Sequence, residues 1–149
     1  MRRLSEVAGL KVLSKASAEK IGKLDRILVD VPPRRVVAVQ VGRDEVVDWE
    51  ALSGIGHDAV VVDDEQRVRA AADAWEERAL SGDFDWKGKI VLSDRGNQMG
   101  TVVDVEIDEQ SGELLALDTS EGPVDANRLR ALGSYCVVVR YQADAALPG

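Results

Sequence analysis

The sequence is poor in the residues that build covalent cross-links and metal centres. Its 149 residues include one cysteine, Cys136, and one histidine, His57. A lone cysteine excludes an internal disulfide framework, and these two residues cannot by themselves form a zinc site of cysteine and histidine ligands. We therefore expect a protein that works without a metal ion or another cofactor.

Long apolar segments are missing as well. Apolar runs such as residues 36–39 and 59–62 are only four residues long, whereas a helix needs about 20 apolar residues to cross a bilayer. Two arginines follow Met1 without an apolar stretch after them, which argues against a secretory signal. We predict no integral membrane segment and a cytoplasmic location, from which a partner would recruit the protein if it acts at a membrane.

Basic residues are scarce outside the first part of the chain. The sequence holds 19 basic and 27 acidic residues, a net charge of −8, which disfavours nucleic-acid binding by the whole surface. Residues 1–43 nevertheless carry ten basic and four acidic residues. This excess either attracts a partner of opposite charge or is balanced within residues 1–64, where the counts are 10 and 11.

The sequence repeats itself once, with a shift that falls from 79 to 77 residues along the chain. The matching residues include Gly9, Val12, Leu13 and Ser14 with Gly88, Val91, Leu92 and Ser93, and Val47, Asp48, Leu52 and Gly56 with Val124, Asp125, Leu129 and Gly133. Both changes in shift fall in turn-like stretches, where a repeated fold tolerates a change of length. We predict repeat 1 over residues 4–64 and repeat 2 over residues 84–142.

Within each repeat the pattern is typical of strands. Val103, Val105 and Ile107 alternate with acidic residues, which is the period of two that a half-buried strand shows. Turn-forming residues separate this run from the next one in both repeats, as they do in hairpins. Five short strands in each unit predict a small, mainly antiparallel β-barrel, so the fold class is mainly β with two such barrels in tandem.

The segment between the repeats has the spacing of a helix. Its apolar residues are four, three and four positions apart: Val68, Ala72, Trp75 and Ala79. This spacing predicts a short connecting α-helix in a linker over residues 65–82, with Gly82 just past its end. We expect Trp75 to pack into the seam between the two barrels. Residues 143–149 are predicted to be a flexible tail.

The ordered series of motifs, present twice, resembles the PRC-barrel family. In repeat 1 the resemblance lies in Gly9-x-x-Val12-x-Ser14 and in residues 21–30, 36–39, 47–49 and 55–62, and in repeat 2 in Gly88 and in residues 99–104, 115–117, 124–125 and 132–133. The family comprises small β-barrels named after the H subunit of the photosynthetic reaction centre. The resemblance implies a docking module without catalytic residues, with partners in a membrane, division or ribosome-assembly complex.

Four acidic residues stand close together in repeat 2: Asp104, Glu106, Asp108 and Glu109. Oxygen-rich clusters bind calcium or magnesium, but the spacing of these four departs from that of an EF-hand loop. Alternating acids usually form the solvated face of a strand, and the equivalents of Asp104 and Glu106 in repeat 1 are Arg26 and Leu28. We predict that the acidic residues do not bind a metal ion.

His57 and Cys136 are the remaining candidates for acid–base or nucleophilic chemistry. The equivalent of His57 in repeat 2 is Ser134, so we assign His57 to the turn before a strand. Cys136 aligns with Ala59 at the start of an apolar strand and is predicted to be a small buried hydrophobe. The glycines form neither of the common phosphate-loop motifs. The sequence therefore predicts that the protein is not an enzyme.

Six residues make up the candidate partner-binding set: Lys15, Lys20, Lys23, Arg34, Arg35 and Trp49. The five basic residues lie in or beside the first two turns of repeat 1. Trp49 corresponds to Ala126, so the fold does not require it. It either contacts a partner or fills the seam between the barrels, and we favour the seam.

The leading functional hypothesis is a non-catalytic adaptor that docks a protein partner through its barrel surfaces. The alternative is a binding factor for RNA or for ribosome assembly that uses the basic loops of repeat 1, and the affinity of such a factor would fall steeply with salt. Head-to-tail association with the acidic half of a second copy is equally compatible with the charge distribution.

Overall fold

The computed structural model describes residues 1–142 of the chain. The tail predicted for residues 143–149 lies outside the described residues. Strands predominate among the described residues, and we number them β1–β15, with two α-helices, α1 and α2. The prediction of a mainly β fold with two tandem PRC-type units and a short helix between them is confirmed.

The first segment of the chain, repeat 1 and the linker contain the first nine strands and both helices. Their bounds are β1 Arg2–Arg3, α1 Leu4–Val7, β2 Lys11–Ser14, β3 Lys20–Lys23, β4 Arg26–Asp30, β5 Arg35–Gly42, β6 Glu45–Asp48, β7 Leu52–Ile55, β8 Ala59–Val62, β9 Arg69–Ala70 and α2 Ala74–Leu80. Short 3-10 turns occupy Trp49–Ala51 and Glu65–Arg67. The strands form two four-stranded sheets, in the orders β3-β2-β8-β7 and β4-β5-β6-β9.

Repeat 2 builds the same arrangement in one sheet. Its strands are β10 Ile90–Ser93, β11 Gln98–Ile107, β12 Leu114–Thr119, β13 Gly122–Asp125, β14 Leu129–Leu132 and β15 Cys136–Val139, with a 3-10 turn at Ala126–Arg128. The order is β13-β12-β11-β10-β15-β14. The sheet is continuous because β11 is one ten-residue strand, whereas β3 and β4 are separated by Leu24 and Asp25. The sheets do not close into hydrogen-bonded rings.

The two repeats share strand register as well as strand order. In repeat 1, β2 pairs with β8 in parallel and Lys11 lies opposite Ala59. In repeat 2, β10 pairs with β15 in parallel and Ile90 lies opposite Cys136. These pairs are related by the shifts of 79 and 77 residues found in the sequence. The duplication therefore extends to individual residue pairs.

Helix α2 is shorter than the apolar spacing predicts. It occupies only Ala74–Leu80, and the Asp73 side chain caps it by accepting from the Glu76 backbone N–H. Upstream of the cap, Arg69–Ala70 form β9 and pair with β6 instead of continuing the helix. Strand pairing thus takes Arg69 and Ala70 out of the helix that the stripe predicts.

Trp75 does not fill the seam between the repeats, contrary to the prediction. Its ring stacks on Phe84, with centroids 5.6 Å apart. Both rings pack against a small cluster that includes Leu28, Ala38 and Val46 from β4, β5 and β6. Trp75 therefore covers one sheet of repeat 1, apart from the main core.

A single large core extends through both repeats. Its buried members include Val12, Val39 and Val60 from repeat 1 and Ile107, Leu117 and Val137 from repeat 2. A unit of about 60 residues buries only about 60% of its unfolded surface and is marginal alone. Sharing one core lets each repeat supply apolar surface that the other covers.

The first residues of the chain pack on repeat 2. Strand β1 pairs with β11, with Arg2 opposite Ile107 and Arg3 opposite Glu106. The Ser5 hydroxyl donates a hydrogen bond to the Asp104 carboxylate on the same strand. The N-terminal segment thus adds a short strand to the sheet of repeat 2 and packs a helical turn against β11.

Candidate functional site

The structure divides the six candidate residues into two groups. Lys15, Lys20 and Lys23 lie on the hairpin formed by β2 and β3, and their side chains are exposed. Arg34, Arg35 and Trp49 lie at the seam between the two repeats and contact repeat 2. The six therefore do not form one continuous surface.

The two arginines hold the turn between β4 and β5 against repeat 2. The Arg34 guanidinium donates to the Asn127 carbonyl oxygen at 2.9 Å, and that of Arg35 donates to the Ser111 carbonyl oxygen at 2.8 Å. The backbone reinforces the contact, since Val36 N–H donates to the carbonyl oxygen of Gly112 at 2.8 Å. Their charges thus contribute to binding between the repeats.

Trp49 lies in the same seam. Its indole packs on the backbone of buried Gly112, where an added Cβ would come within 2.9 Å of the Trp49 ring. The side chain is half-buried and packs against the shared core. Trp49 therefore lies in the seam between the repeats, which is where the favoured interpretation of the sequence places it.

The lysines of the hairpin share one face of the first sheet with a fourth lysine. Lys11 lies directly opposite Lys23 across the β2–β3 pair, and Leu13 lies opposite Lys20. On the next strand, Ala59 lies beside Lys11 and Val61 beside Leu13. We call the surface formed by these residues and Lys15 the lysine face. Its full set is Lys11, Lys15, Lys20, Lys23, Leu13, Ala59 and Val61.

Sequence reasoning missed Lys11 because it grouped basic residues by turns. Along β2, exposed Lys11 and half-buried Leu13 alternate with buried Val12 and Ser14. That period of two is visible in the sequence and assigns Lys11 to the outward side of the strand. Strand periodicity would therefore have joined it to the lysines of the turn.

The four lysines have no acidic partner among the residues that the structure describes. Within residues 1–142, none of them takes part in an ion pair or a side-chain hydrogen bond. Like charges directly opposite each other on a sheet are unfavourable, and Lys11 and Lys23 form such a pair with neither lysine in an ion pair within the described residues. Many of the arginines are used differently, as Arg26 shows by pairing with Asp85 at 2.9 Å.

The fold itself does not require lysines on this face. The equivalents of Lys11, Lys15, Lys20 and Lys23 in repeat 2 are Ile90, Asp94, Gln98 and Thr101. Ile90 lies opposite Thr101 in the register that Lys11 and Lys23 have. Repeat 2 thus shows that the hairpin forms with uncharged residues at the paired positions.

A carboxylate below the hairpin fixes the shape of its turn. Glu65 accepts hydrogen bonds from the hydroxyls of Ser17 at 2.6 Å and Ser14 at 2.7 Å. These two hydrogen bonds hold the pKa of the Glu65 carboxyl below its ordinary value, and the bond from Ser17 has the larger effect. The turn that carries Lys15 is therefore tied to the linker.

The acidic residues of β11 and the turn after it have structural partners. The Asp108 carboxylate accepts from the backbone N–H groups of Gln110 and Ser111, which lowers its pKa. The pKa of Glu106 is raised, first by burial and then by its contact with the Asp118 carboxyl. Within residues 1–142, no group of three or more His, Cys, Asp or Glu side chains is arranged to hold a metal ion.

The two remaining candidates for chemistry belong to different repeats. His57 is exposed in the turn between β7 and β8, as the sequence predicts. Cys136 begins β15 and is half-buried, so it is less enclosed than predicted.

A cavity of about 770 Å³ lies at the seam and is lined by equivalent residues of both repeats. Arg26 and Ile27 line it from repeat 1, and their counterparts Asp104 and Val105 line it from repeat 2. Its charged groups hold the repeats together, because the Arg26 guanidinium donates to Asp85 and Asp104 accepts from Ser5. The cavity is thus bounded by contacts that join the repeats.

A comparison with known protein families finds the same domain in both halves of the chain. The model of the PRC-barrel domain matches residues 1–71 and again residues 81–146. The chain belongs to the PRC-barrel family. PRC-barrel domains often act as protein-interaction modules, and the PRC barrel is a non-catalytic binding fold. None of the curated proteins compared with this PRC-barrel chain matches it.

The two α-helices described in this PRC-barrel protein span 4 and 7 residues. In the part of the chain that the structure describes, neither the length nor the apolar character of any helix suffices to cross a membrane.

Proposed function

We propose that this PRC-barrel protein is a non-catalytic adaptor, and that its lysine face binds an acidic surface of a protein partner. The supporting observation is the set of four exposed lysines without a partner anywhere in residues 1–142. A partner that supplies carboxylates would relieve the repulsion between Lys11 and Lys23 and would be attracted from a distance.

The composition of the lysine face favours a protein partner over RNA. Half-buried Leu13 and Val61 lie among the lysines and offer apolar contact area. None of the seven residues of the face is aromatic, whereas single-stranded nucleic acid is usually bound by stacking on aromatic rings. The net charge of −8 also weakens attraction of a polyanion to the rest of the molecule.

RNA binding is the second candidate function, because clustered lysines also contact phosphates. It corresponds to a ribosome-assembly role for the basic hairpin of repeat 1. A third candidate to bind the lysine face is the acidic repeat 2 of a second copy of the chain. The adaptor acts in the cytoplasm under this proposal, and reaches a membrane or division complex only through its partner.

Site-specific photocrosslinking in the native cell tests the proposal. A photoreactive amino acid replaces Leu13 on the lysine face, and the control carries it at Leu92, the half-buried equivalent in repeat 2. We expect the Leu13 derivative to label one protein that the Leu92 derivative does not. The purified complex should weaken at least tenfold between low and high salt, since its contacts are between charged groups.

A matched pair of variants separates the lysine face from total charge. One variant changes Lys11, Lys15, Lys20 and Lys23 to Gln, and the control changes the exposed Arg43, Arg67, Lys87 and Arg140 to Gln. Labelling from position 13 should disappear in the first and persist in the second. Equal loss in both, or an adduct that ribonuclease removes, would overturn the proposal; the ribonuclease result would favour RNA. Labelling of the protein's own chain would favour a homo-oligomer instead.

A further inference from the structure

The outer side of the sheet in repeat 2 matches a side of repeat 1 position by position. Two rows of paired residues cross β4, β5 and β6 in repeat 1: Leu28, Ala38 and Asp48, and Arg26, Gln40 and Val46. The same two rows cross β11, β12 and β13 in repeat 2: Glu106, Ala116 and Asp125, and Asp104, Asp118 and Pro123. Residues paired across strands share one side of a sheet, so the two repeats can be compared directly.

A helix covers this side in repeat 1. Helix α2 packs on it and covers Leu28, Ala38 and Val46, which are at most 3% exposed. Arg69, just before α2, donates to the Asp48 carboxylate at 2.6 Å and also to a carboxylate of the helix. The fold thus seats a helix on this side and anchors it with one arginine.

The same side of repeat 2 has no such cover within the described residues. Pro123, the counterpart of Val46, is exposed, and Ala116, the counterpart of Ala38, is half-buried. Leu115 adds an exposed apolar side chain on β12. We call this side the acidic face. Its full set is Asp104, Glu106, Leu115, Ala116, Asp118, Pro123 and Asp125.

The acidic face has more carboxylates than cations to balance them. Asp104 and Asp118 lie directly opposite each other, which is unfavourable for like charges. Glu106 also contacts the Asp118 carboxyl. Arg3 pairs with Asp118 at 3.2 Å, but within residues 1–142 the carboxylates of Asp104, Glu106 and Asp125 form no ion pair. A basic partner would therefore be attracted to this face.

The geometry favours a helix over an added strand. Pro123 lies on β13, which ends its sheet, at the position where Val46 pairs with Arg69 of β9 in repeat 1. A proline at a sheet edge has no N–H to donate and opposes strand pairing. Asp104 and Glu106 are two residues apart on β11, about 7 Å, which is close to the rise of about 6 Å between residues four apart in a helix.

The protein's own segments match the acidic face less well than a foreign helix does. Residues 143–149 contain no basic residue. Helix α2 of a second copy already packs on its own sheet. The lysine face of a second copy is basic, but sheets pack on each other through interdigitated apolar side chains, and most of both faces is charged. A basic helix with a small apolar stripe supplies both the charge and the shape.

We propose that the acidic face binds a short basic helix of a protein partner, seated as α2 is seated on repeat 1. One arginine of the partner binds Asp125, as Arg69 binds Asp48, and basic residues four positions apart meet Asp104 and Glu106. The acidic face shares no residue with the lysine face. The inference rests on the proposed adaptor function only in assigning the helix to a partner.

The test uses a phage library of helical peptides, in which the surface positions of one stable helix are randomised, selected on the full chain. A synthetic peptide from the enriched set is then titrated into the ¹⁵N-labelled protein. We expect the enriched peptides to carry Lys or Arg four residues apart beside small apolar residues. Amide shifts should centre on residues 104–106, 115–118 and 123–125, and the bound peptide should be helical by NOE.

Two double variants separate the acidic face from total charge. Glu106→Leu with Asp118→Gln introduces the residues that repeat 1 has at the same register positions, so the fold should persist while peptide binding weakens at least tenfold. Glu50→Gln with Glu77→Gln removes the same charge from exposed positions outside repeat 2 and should leave binding unchanged. The four-lysine variant should bind the peptide as the parent does, which separates this test from that of the lysine face.

Other results would overturn the assignment. These are the absence of any enriched peptide, a bound peptide that is extended, shifts that map elsewhere, or equal binding by the two double variants. Concentration-dependent shifts of the acidic face without peptide, together with a dimer in sedimentation, would assign it to a second copy. If Glu106→Leu with Asp118→Gln does not fold, Asp125→Asn decides, because it removes the charge and keeps the side-chain oxygen that accepts from Asn127 N–H.

Discussion

Gly112 illustrates at the residue scale how the absence of a side chain joins the two repeats. Its backbone has φ +80°, a conformation that L side chains rarely adopt, and it lies against the indole of Trp49. Two separate effects therefore oppose a side chain here, namely backbone strain and a clash with the ring.

Gly112→Ala should destabilise the protein by about 2–4 kcal/mol, because about 1 kcal/mol comes from the backbone and about 1–3 kcal/mol from overpacking against Trp49. Urea unfolding measures the change. Gly96→Ala is the control, since Gly96 has φ +85° but no atom within 4 Å of its added Cβ. Equal losses in the two variants would mean that the contact with Trp49 does not resist the added methyl group.

The candidate site was only partly predictable at this scale. Lys15, Lys20 and Lys23 are exposed on one hairpin, as lysines usually are. Arg34 and Arg35 belong to the same charge count, yet they bind carbonyl oxygens of repeat 2. Nothing in the local sequence distinguishes these two groups, since the distinction depends on which turn faces the other repeat.

At the scale of elements, Arg69 connects three of them. From β9 its guanidinium donates to both carboxylate oxygens of Glu76 in α2, at 2.7 and 2.8 Å, and to Asp48 at the end of β6, at 2.6 Å. Glu76 is only 8% exposed. Hydrogen bonding by Arg69 lowers the pKa of the Glu76 carboxyl, although burial opposes the shift.

Arg69→Ala should cost about 2–3 kcal/mol of unfolding free energy at pH 7, because the Glu76 carboxylate would stay buried without its partner; the figure lies below that for a fully buried pair because Arg69 is partly exposed. Chemical denaturation of the variant and the parent measures it. Glu77→Gln changes an exposed neighbour on the same helix and should have little effect.

The same contact predicts a pH dependence. A carboxyl whose folded pKa is lowered stabilises the fold above its unfolded pKa of about 4.3, and this contribution is lost as the pH falls through the folded value. Denaturation curves at pH 7 and pH 3 should therefore differ more for the parent than for Glu76→Gln. The same pH dependence in both proteins would contradict the role given to Glu76.

The strands were more predictable than the linker. Alternation in residues 103–108 and the duplicated motifs identify hairpins because the period of two is a local property. The stripe from Val68 to Ala79 satisfies helical spacing, but Arg69 and Ala70 pair with β6 instead. A neighbouring strand edge that becomes available only in the folded chain overrides the local preference.

At the scale of the whole molecule, the shared core makes the two repeats interdependent. Trp86 and Val91 belong to the same core cluster as Val7 and Val12. Arg3 at the start of the chain also pairs with Asp118 of repeat 2 at 3.2 Å. The full chain is therefore expected to unfold in one cooperative transition.

Fragments of residues 1–80 and 81–149 should each be largely unfolded alone, because each lacks half of the core and a unit of this size is marginal by itself. Amide NMR spectra of the separate fragments and of their mixture test this. The mixture should regain dispersed signals. A well-dispersed spectrum from either fragment alone, or two separate thermal transitions in the full chain, would show that the repeats fold independently.

The pairing of β1 with β11 has a consequence for synthesis on the ribosome. Arg2 is made at the start of translation, whereas its partner Ile107 follows 105 residues later. At about 5–20 residues per second, the first strand waits roughly 5–20 s for its neighbour. During that interval the nascent chain exposes Val7, which belongs to the final core. The N-terminal end is thus the first part made and among the last to settle, so chaperones have a defined window in which to bind it.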